Sequence, residues 1–276
     1  MTGVQTCALP ILTLLGGSGT GVFTREVQDA VLEGRADIAV HSLKDLPTET
    51  VEGLTLAAVP SRGAMFDVLV LPANVASEVS RTPLDMLSTN AHIGTGSPRR
   101  KAQLLHARRD LQFLDVRGNV ETRLRKLDEG QVDALVLAEA GLTRLELAGR
   151  ISDLLRPPTF LPAVGQGALG IECRADDADV LSVLARITDR ATLYAVLAER
   201  AVLATLQAGC HAPLGVWTRP DGDMLCLTAV VLSLDGIQRI EAERCSAVVT
   251  DDDAVTLGRS VADDLLQQGA AILMGH

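Results

Sequence analysis

The 276-residue chain predicts an α/β protein that ends in a smaller α+β module. Three observations carry this reading. Strand and helix signals alternate with short connections from Phe23 to Leu147, prolines cluster at Pro157, Pro158 and Pro162, and beyond about residue 188 a long helical pattern gives way to alternating strands and a last helix. The length exceeds one small core and suits two or three domains.

Taken in order, Phe23, Val27 and Val31 recur every four residues and stop at Gly34, which predicts a helix with a glycine end. Strands are predicted at 36–41 and 54–59, joined by a polar loop through Pro47. From 92 to 147 the pattern repeats: a strand near 92–94, a helix from Pro98, a strand at 113–116, a helix from Val120 stopped by Gly130, a strand at 134–138 and a helix to Leu147. Three such units predict one parallel sheet. Ser97 before Pro98, and Asn119, are suited to cap their helices, so two helix N-termini and their partial positive charges face one sheet edge. The prolines mark a domain crossing into the glycine-rich run 164–170 and an apolar strand. A helix from about 188 to Gln207, strands at 224–232 and 237–248 and a helix over 252–268 complete the chain.

Composition excludes several classes. Aromatics are 2% of residues, so stacking platforms for single-stranded nucleic acid are nearly absent, and no run of about 18 apolar residues predicts a membrane span. The formal charge of −10 points to a soluble cytosolic protein. Within it, residues 99–126 hold nine basic side chains against three acidic ones. Such a patch suits a small polyanion; a solvated helix face is the plainer reading. Five cysteines, Cys7, Cys173, Cys210, Cys226 and Cys245, show no CxxC spacing, so they read as reduced thiols with neither a disulfide framework nor a metal site. Residues 1–12 read as a foreign leader, without the basic start of a signal peptide.

Three segments carry chemistry. ValHisSerLeuLysAspLeuPro, 40–47, leaves a strand and brings Ser42, Lys44 and Asp45 together, where a carboxylate beside an ammonium can oppose a cation formed during reaction. AlaGlyCysHisAlaProLeuGly, 208–215, puts Cys210 on a glycine-flanked turn, accessible for a covalent bond, although a cysteine at such a spacing can also merely pack. GlyThrGlySerProArgArg, 94–100, and ValArgGlyAsnValGluThrArg, 116–123, pair guanidiniums with helix N-termini, which suits capture of several carboxylates or of phosphate. GlyGlySerGlyThrGly, 16–21, lacks a P-loop lysine and reads as a turn.

Together with LeuProAlaValGlyGlnGlyAlaLeuGlyIleGlu, 161–172, these segments resemble the porphobilinogen deaminase (hydroxymethylbilane synthase) family in order and spacing, from about Gly16 onward. The resemblance implies two α/β domains like those of periplasmic binding proteins, joined by a hinge, plus a smaller α+β C-terminal domain. The implied limits are residues 13–70 with 162–187 for the first domain, 71–161 for the second and 188–276 for the third. It implies head-to-tail polymerisation of four porphobilinogens into hydroxymethylbilane with loss of ammonia, in tetrapyrrole biosynthesis, by a cytoplasmic monomer without nucleic acid, membrane or metal. It further implies a dipyrromethane cofactor on Cys210 through a thioether and Asp45 as the catalytic carboxylate. Ser42, Lys44, Thr95, Ser97, Arg99, Arg100, Arg117 and Asn119 are then partners of the cofactor, and Arg123, Arg144 and Thr20 partners of the substrate. Family members begin with a strand bearing an arginine and a serine, then a helix and a second strand; roughly forty residues of that kind are replaced here by the leader, which puts folding of the first domain in question. The family's loop lysine is Thr20, and its AspProArgAsp run reads AlaMetPheAsp at 64–67. The competing readings are a truncated, inactive family member and a non-catalytic anion-binding module, which would need neither Cys210 nor Asp45.

Overall fold

In the computed structural model, which describes residues 20–73, 82–209 and 212–274, the alternating signals become two α/β lobes and a third α+β lobe. Along the chain, α1 (Thr20–Leu32) leads into β1 (Ile38–Ser42), a 3-10 turn over Leu43–Asp45, and β2 (Leu54–Ala58). Next come β3 (Asp67–Val70), β4 (His92–Gly94), α2 (Pro98–Ala107), β5 (Gln112–Leu114), α3 (Val120–Asp128), β6 (Ala134–Ala138), α4 (Glu139–Arg144) and β7 (Asp153–Leu155). They are followed by β8 (Leu169–Arg174), α5 (Ala178–Ala185), α6 (Arg190–Thr205), β9 (Leu214–Asp221), β10 (Met224–Leu232), β11 (Arg239–Ala247), α7 (Asp251–Gln267) and α8 (Ala270–Met274).

The first lobe is the sheet β1-β8-β2, in which β8 runs antiparallel to both neighbours, with α1 and α5 packed on it. Val31 of α1 is fully buried against Ala39 and Leu54, whereas Val27, expected on the same face, is exposed. The second lobe is the sheet β5-β4-β6-β3-β7. Its expected all-parallel character is corrected: β4 pairs in parallel with β5 and β6, but β3 inserts antiparallel between β6 and β7. All four residues of β3 are buried, and a run this short carries no alternation to read. Because β3 belongs to this sheet, we propose that the crossing from the first to the second lobe lies before Asp67 and not after residue 70.

In the third lobe, α6, α7 and α8 cover one face of the antiparallel sheet β11-β10-β9, and the core between them includes Val202, Leu227, Val231, Val261 and Leu265. Gly258 lets α7 lie directly on the Ala198 backbone of α6, where a Cβ would collide. The other sheet face meets the second lobe through Leu161, Val230 and Leu232, with Ala102 of α2. A buried ion pair ties the first lobe to the third: Arg62 donates to both oxygens of Glu199 at 2.6 and 3.0 Å, and Glu199 also accepts from Gly165 N and Thr218 Oγ1.

The reading of the cysteines needs correction. Cys226 and Cys245 face each other across β10 and β11 and form a disulfide, while Cys173 is a buried free thiol. Spacing rules for metal motifs and disulfide frameworks do not detect a pair created by strand register. No described helix is long and apolar enough to cross a membrane. The leader 1–12, the glycine-rich residues 16–19, Cys210 and His211 lie outside the described residues.

Candidate active site

The site starts where β1 ends. Leu43, 1% exposed, anchors the 3-10 turn in the first-lobe core, and its N–H donates to Ala168 O at 3.0 Å. This leaves Ser42, Lys44 and Asp45 half-buried; Ser42 and Lys44 line the cavity between the lobes, whereas Asp45 lies one residue along the turn and is not part of its wall. The glycine-rich segment runs against the turn: Gly165, at φ +68°, would bring a Cβ to 3.2 Å from Leu43 C and Lys44 N, so its left-handed backbone and its lack of a side chain are both used. From the third lobe, Arg200 of α6 donates to Leu46 O at 2.9 Å and Pro47 O at 2.6 Å, holding the segment that follows Asp45.

The second lobe presents its helix N-termini opposite. Ser97 caps α2 through Arg100 N, and Asn119 caps α3 with its Oδ1 accepting from Thr122 N at 2.8 Å. Arg123 donates from Nε to Gly118 O at 2.8 Å. A cavity of about 300 Å³ opens between these elements, with Ser42, Lys44, Arg100, Asn119, Arg123 and Arg144 in its wall. Among the described residues four cations and no carboxylate line it. Among the described residues Lys44 has no hydrogen-bond or ion-pair partner. Burial, and then the Arg100 charge, push its ammonium pKa below the ordinary lysine value. Burial and Arg100 likewise lower Arg123. A cleft with like charges this close is prepared for an anion of several charges, whose binding relieves their repulsion.

A second, narrow cleft of about 70 Å³ joins Lys44, Ser97 and Arg99 to Gly209 and Ala212, the residues flanking 210–211. Gly209 and Ala212, the neighbours of that segment in sequence, therefore lie beside the cationic wall. Another cavity, of about 600 Å³, lies beside Arg108, Arg156 and Phe160 and has none of the expected site residues in its wall.

Other expectations fare differently. Arg99 and Arg100 are 5% and 9% exposed and turn back onto Asp67 of β3, with Arg99 Nη1 at 2.6 Å and Arg100 Nε and Nη2 at 3.0 and 2.8 Å. Burial alone would raise the Asp67 carboxyl; Arg100 and Arg99 overcome this and hold it well below the usual carboxylate range. The paired arginines are therefore first a structural unit, and of the two only Arg100 reaches the larger cleft. Arg117 is exposed and paired with Asp115 at 2.8 Å, outside either cleft. Thr95 is buried, its Oγ1 accepting from Ser97 N at 3.2 Å. The backbone of Thr20 opens α1; its side chain lies outside the described positions. Arg108 pairs with Asp110 and Arg125 lies by Glu129, so part of the basic run 99–126 is neutralised locally.

Three site residues escaped the sequence reading: Asp67, Arg200 and Gln166. Gln166 lies in the glycine-rich segment, which was a visible signal, and is 1% exposed in the cleft wall. Its Nε2 donates to Met65 O at 2.8 Å and Asp67 Oδ1 at 3.0 Å, leaving Oε1 buried with no partner among the described residues. Two acceptors at Nε2 fix the amide orientation, so the orphan atom is an acceptor awaiting a donor. A linked pair of pyrroles, with N–H donors and carboxylate side chains, matches this cationic wall and free acceptor.

The chain matches the family model described as porphobilinogen deaminase, dipyrromethane cofactor binding domain, over residues 10–182, and that of the porphobilinogen deaminase C-terminal domain over residues 193–267. It is 46% identical to a porphobilinogen deaminase of Roseiflexus sp. over 92% of this chain and 80% of that one. It is 49% identical to one of Synechococcus sp. over 92% of this chain and 78% of that one. Among solved structures, the VFT2 domain of Bordetella pertussis BvgS is 18% identical, covering 62% of this chain and 71% of its own, with a TM-score of 0.36, too low to bear on the fold.

Proposed function

Starting from the premise that the chain belongs to the porphobilinogen deaminase family, we propose that the cleft between Lys44 and Arg144 is where porphobilinogen is deaminated and joined head to tail. The chain is a transferase of tetrapyrrole biosynthesis that converts four porphobilinogens into linear hydroxymethylbilane and releases ammonia. The observation that carries the assignment to this cleft is its wall of Lys44, Arg100, Arg123 and Arg144, with no carboxylate among the described residues that line it, set beside the turn Leu43–Asp45.

The cofactor is dipyrromethane. Cys210 would hold it by a thioether, and when bound it supplies the pyrrole carbon to which each new unit is added. Lys44, Arg100, Arg123 and Arg144 would pair with acetate and propionate side chains, and Ser42 and Asn119 would hydrogen-bond to them. Ser97 and Arg99 would do so in the narrow cleft lined by Gly209 and Ala212, and Gln166 Oε1 would accept from a pyrrole N–H. Arg117, Thr95 and Thr20 keep a role in binding only if they rearrange around ligand.

Asp45 has a different task. Loss of ammonia from porphobilinogen leaves positive charge on the former aminomethyl carbon and its ring, and a fixed carboxylate stabilises that charge without reorganising. The same carboxylate can hold and return a proton at its Oδ atoms. Lys44 is adjacent to it in the same turn. Arg200 fixes the segment that follows, so the carboxylate does not drift as the chain grows. We take the enzyme to act as a cytoplasmic monomer, in keeping with its acidic charge and scarcity of aromatic residues.

Hydroxymethylbilane formation by Asp45→Asn at saturating porphobilinogen tests the reading: kcat falls by about 100-fold or more with the fold intact, whereas a loss of less than about threefold would remove Asp45 from the chemistry. Arg144→Gln is expected to raise KM more than it lowers kcat.

A further inference from the structure

Cys226 and Cys245 are register partners on β10 and β11, and on the other side of β10 the partner of Cys226 is Arg219 of β9. A cation and two sulfurs thus form one row across the sheet, on the face that also carries Trp217, Val230 and Leu232. Cys226 is fully buried, whereas Cys245 is not. Asp221 Oδ2 lies 3.9 Å from Cys226 Sγ, placed to take the proton of a thiol there. Arg219 is held by Asp221 at 3.4 Å and by Glu243 at 2.8 Å, and its guanidinium lies 5.8 Å from the Trp217 ring centre. One accessible sulfur, one buried sulfur, a neighbouring guanidinium and a carboxylate within reach are the parts that thiol–disulfide exchange requires.

We propose that Cys226 and Cys245 form a reversible thiol–disulfide couple, a covalent modification site on the third lobe that is separate from the cofactor cysteine. In the oxidising direction, the exposed Cys245 thiolate attacks a low-molecular-weight disulfide such as glutathione disulfide, forming a mixed disulfide and releasing one thiolate. Cys226 gives its proton to Asp221 and attacks the Cys245 sulfur, closing the bond and releasing the second thiolate. Two cysteine thiols are oxidised and one glutathione disulfide is reduced to two thiols; the Cys245 proton, lost to solvent, and the Cys226 proton, relayed by Asp221, are the two that the leaving glutathione thiolates take up. Excess glutathione reverses each step.

The bond closes a loop of sequence separation 19 and fastens the edge strand β11 to the central strand. It lies at the end of the sheet where β9 turns into β10, whereas the 210–211 segment precedes the start of β9, whose Leu214 pairs with Val231. Its effect falls on the stability of the third lobe and leaves cofactor attachment alone.

The full-length chain is equilibrated with graded ratios of reduced to oxidised glutathione, alkylated, and mapped by peptide mass, with thermal unfolding followed in parallel. Cys226 and Cys245 are expected to pass together and reversibly from protected to alkylated, with the unfolding midpoint dropping by about 5 °C or more on reduction. Cys226→Ser and Cys245→Ser are each expected to melt like the reduced chain, whatever the redox buffer. Either variant suffices if the other misfolds. Alkylation of both cysteines in glutathione disulfide, a bond that resists excess glutathione, or protection lifted by a chelator and not by reductant would each overturn the proposal.

Discussion

Replacing Asp67 by Asn is the sharpest test of how the second lobe is held together. The carboxylate accepts from Arg99 Nη1, from Arg100 Nε and Nη2 and from Gln166 Nε2, all at 3.0 Å or less, while being 3% exposed. An amide keeps the shape but loses the charge and turns one oxygen into a donor facing a guanidinium. Breaking a buried ion pair by removing one partner costs about 3–5 kcal/mol, because the remaining charge is left desolvated. Here two guanidiniums are left, with Leu161 O and Val136 O as their remaining acceptors, so the upper part of that range applies. For a lobe of this size, the loss corresponds to a fall of roughly 10 °C or more in the unfolding midpoint, measured by circular dichroism and calorimetry. The effect also has a pH signature. The folded-state pKa of Asp67 is depressed, so its contribution is complete above the unfolded value near 4 and is lost as pH falls through the folded value. Wild type should therefore destabilise more steeply than Asp67→Asn on acidification below about pH 4. A variant melting within about 2 °C of wild type at pH 7 would refute the account of Asp67 as the counter-ion that organises both arginines.

Other expectations follow from the same geometry. Lys44 has a lowered folded-state pKa, so between that value and its ordinary 10.5 the unfolded chain binds more protons, and the ligand-free protein should gain stability as pH rises through this window; in Lys44→Met, pH-dependent melting should lose that slope. Glu199→Ala strands the Arg62 guanidinium between the first and third lobes, and urea unfolding should show a loss of about 3 kcal/mol or more. Gly167, at φ +84°, would place a Cβ 2.5 Å from Ala64 O, so Gly167→Ala should cost about 2 kcal/mol or more and distort the cleft wall, measured as a lower melting point and a raised KM.

Much of the fold was legible where local chemistry announces it. Ser97 with Pro98, Asn119, Gly34 and Gly130 bound their helices as capping rules require, and the strands at 92–94 and 134–138 followed from apolar runs between turn residues. Short strands without alternation, such as Asp67–Val70 and Asp153–Leu155, were not legible, and the mixed character of the second sheet went with them. In the site, Ser42, Lys44, Arg100, Asn119, Arg123 and Arg144 line one cleft. What the sequence could not convey was how charge is divided. Asp67 lies more than thirty residues before the arginines it neutralises, and only folding shows that Arg99 and Arg100 are already engaged. The Cys226–Cys245 bond is hidden for the same reason, since strand register and not spacing brings the sulfurs together. Arg200 carries no motif of its own; its role is to reach backbone carbonyls of another lobe.

The central claim, that this chain builds a pyrrole polymer on Cys210, is tested most directly by intact-protein mass spectrometry of the purified chain before and after addition of porphobilinogen, alongside Cys210→Ala. The account predicts a mass increment matching dipyrromethane on the wild type, further additions in steps of one deaminated porphobilinogen, and neither in the variant. An unmodified wild-type chain that takes up no porphobilinogen, or an increment that persists in Cys210→Ala, would contradict it.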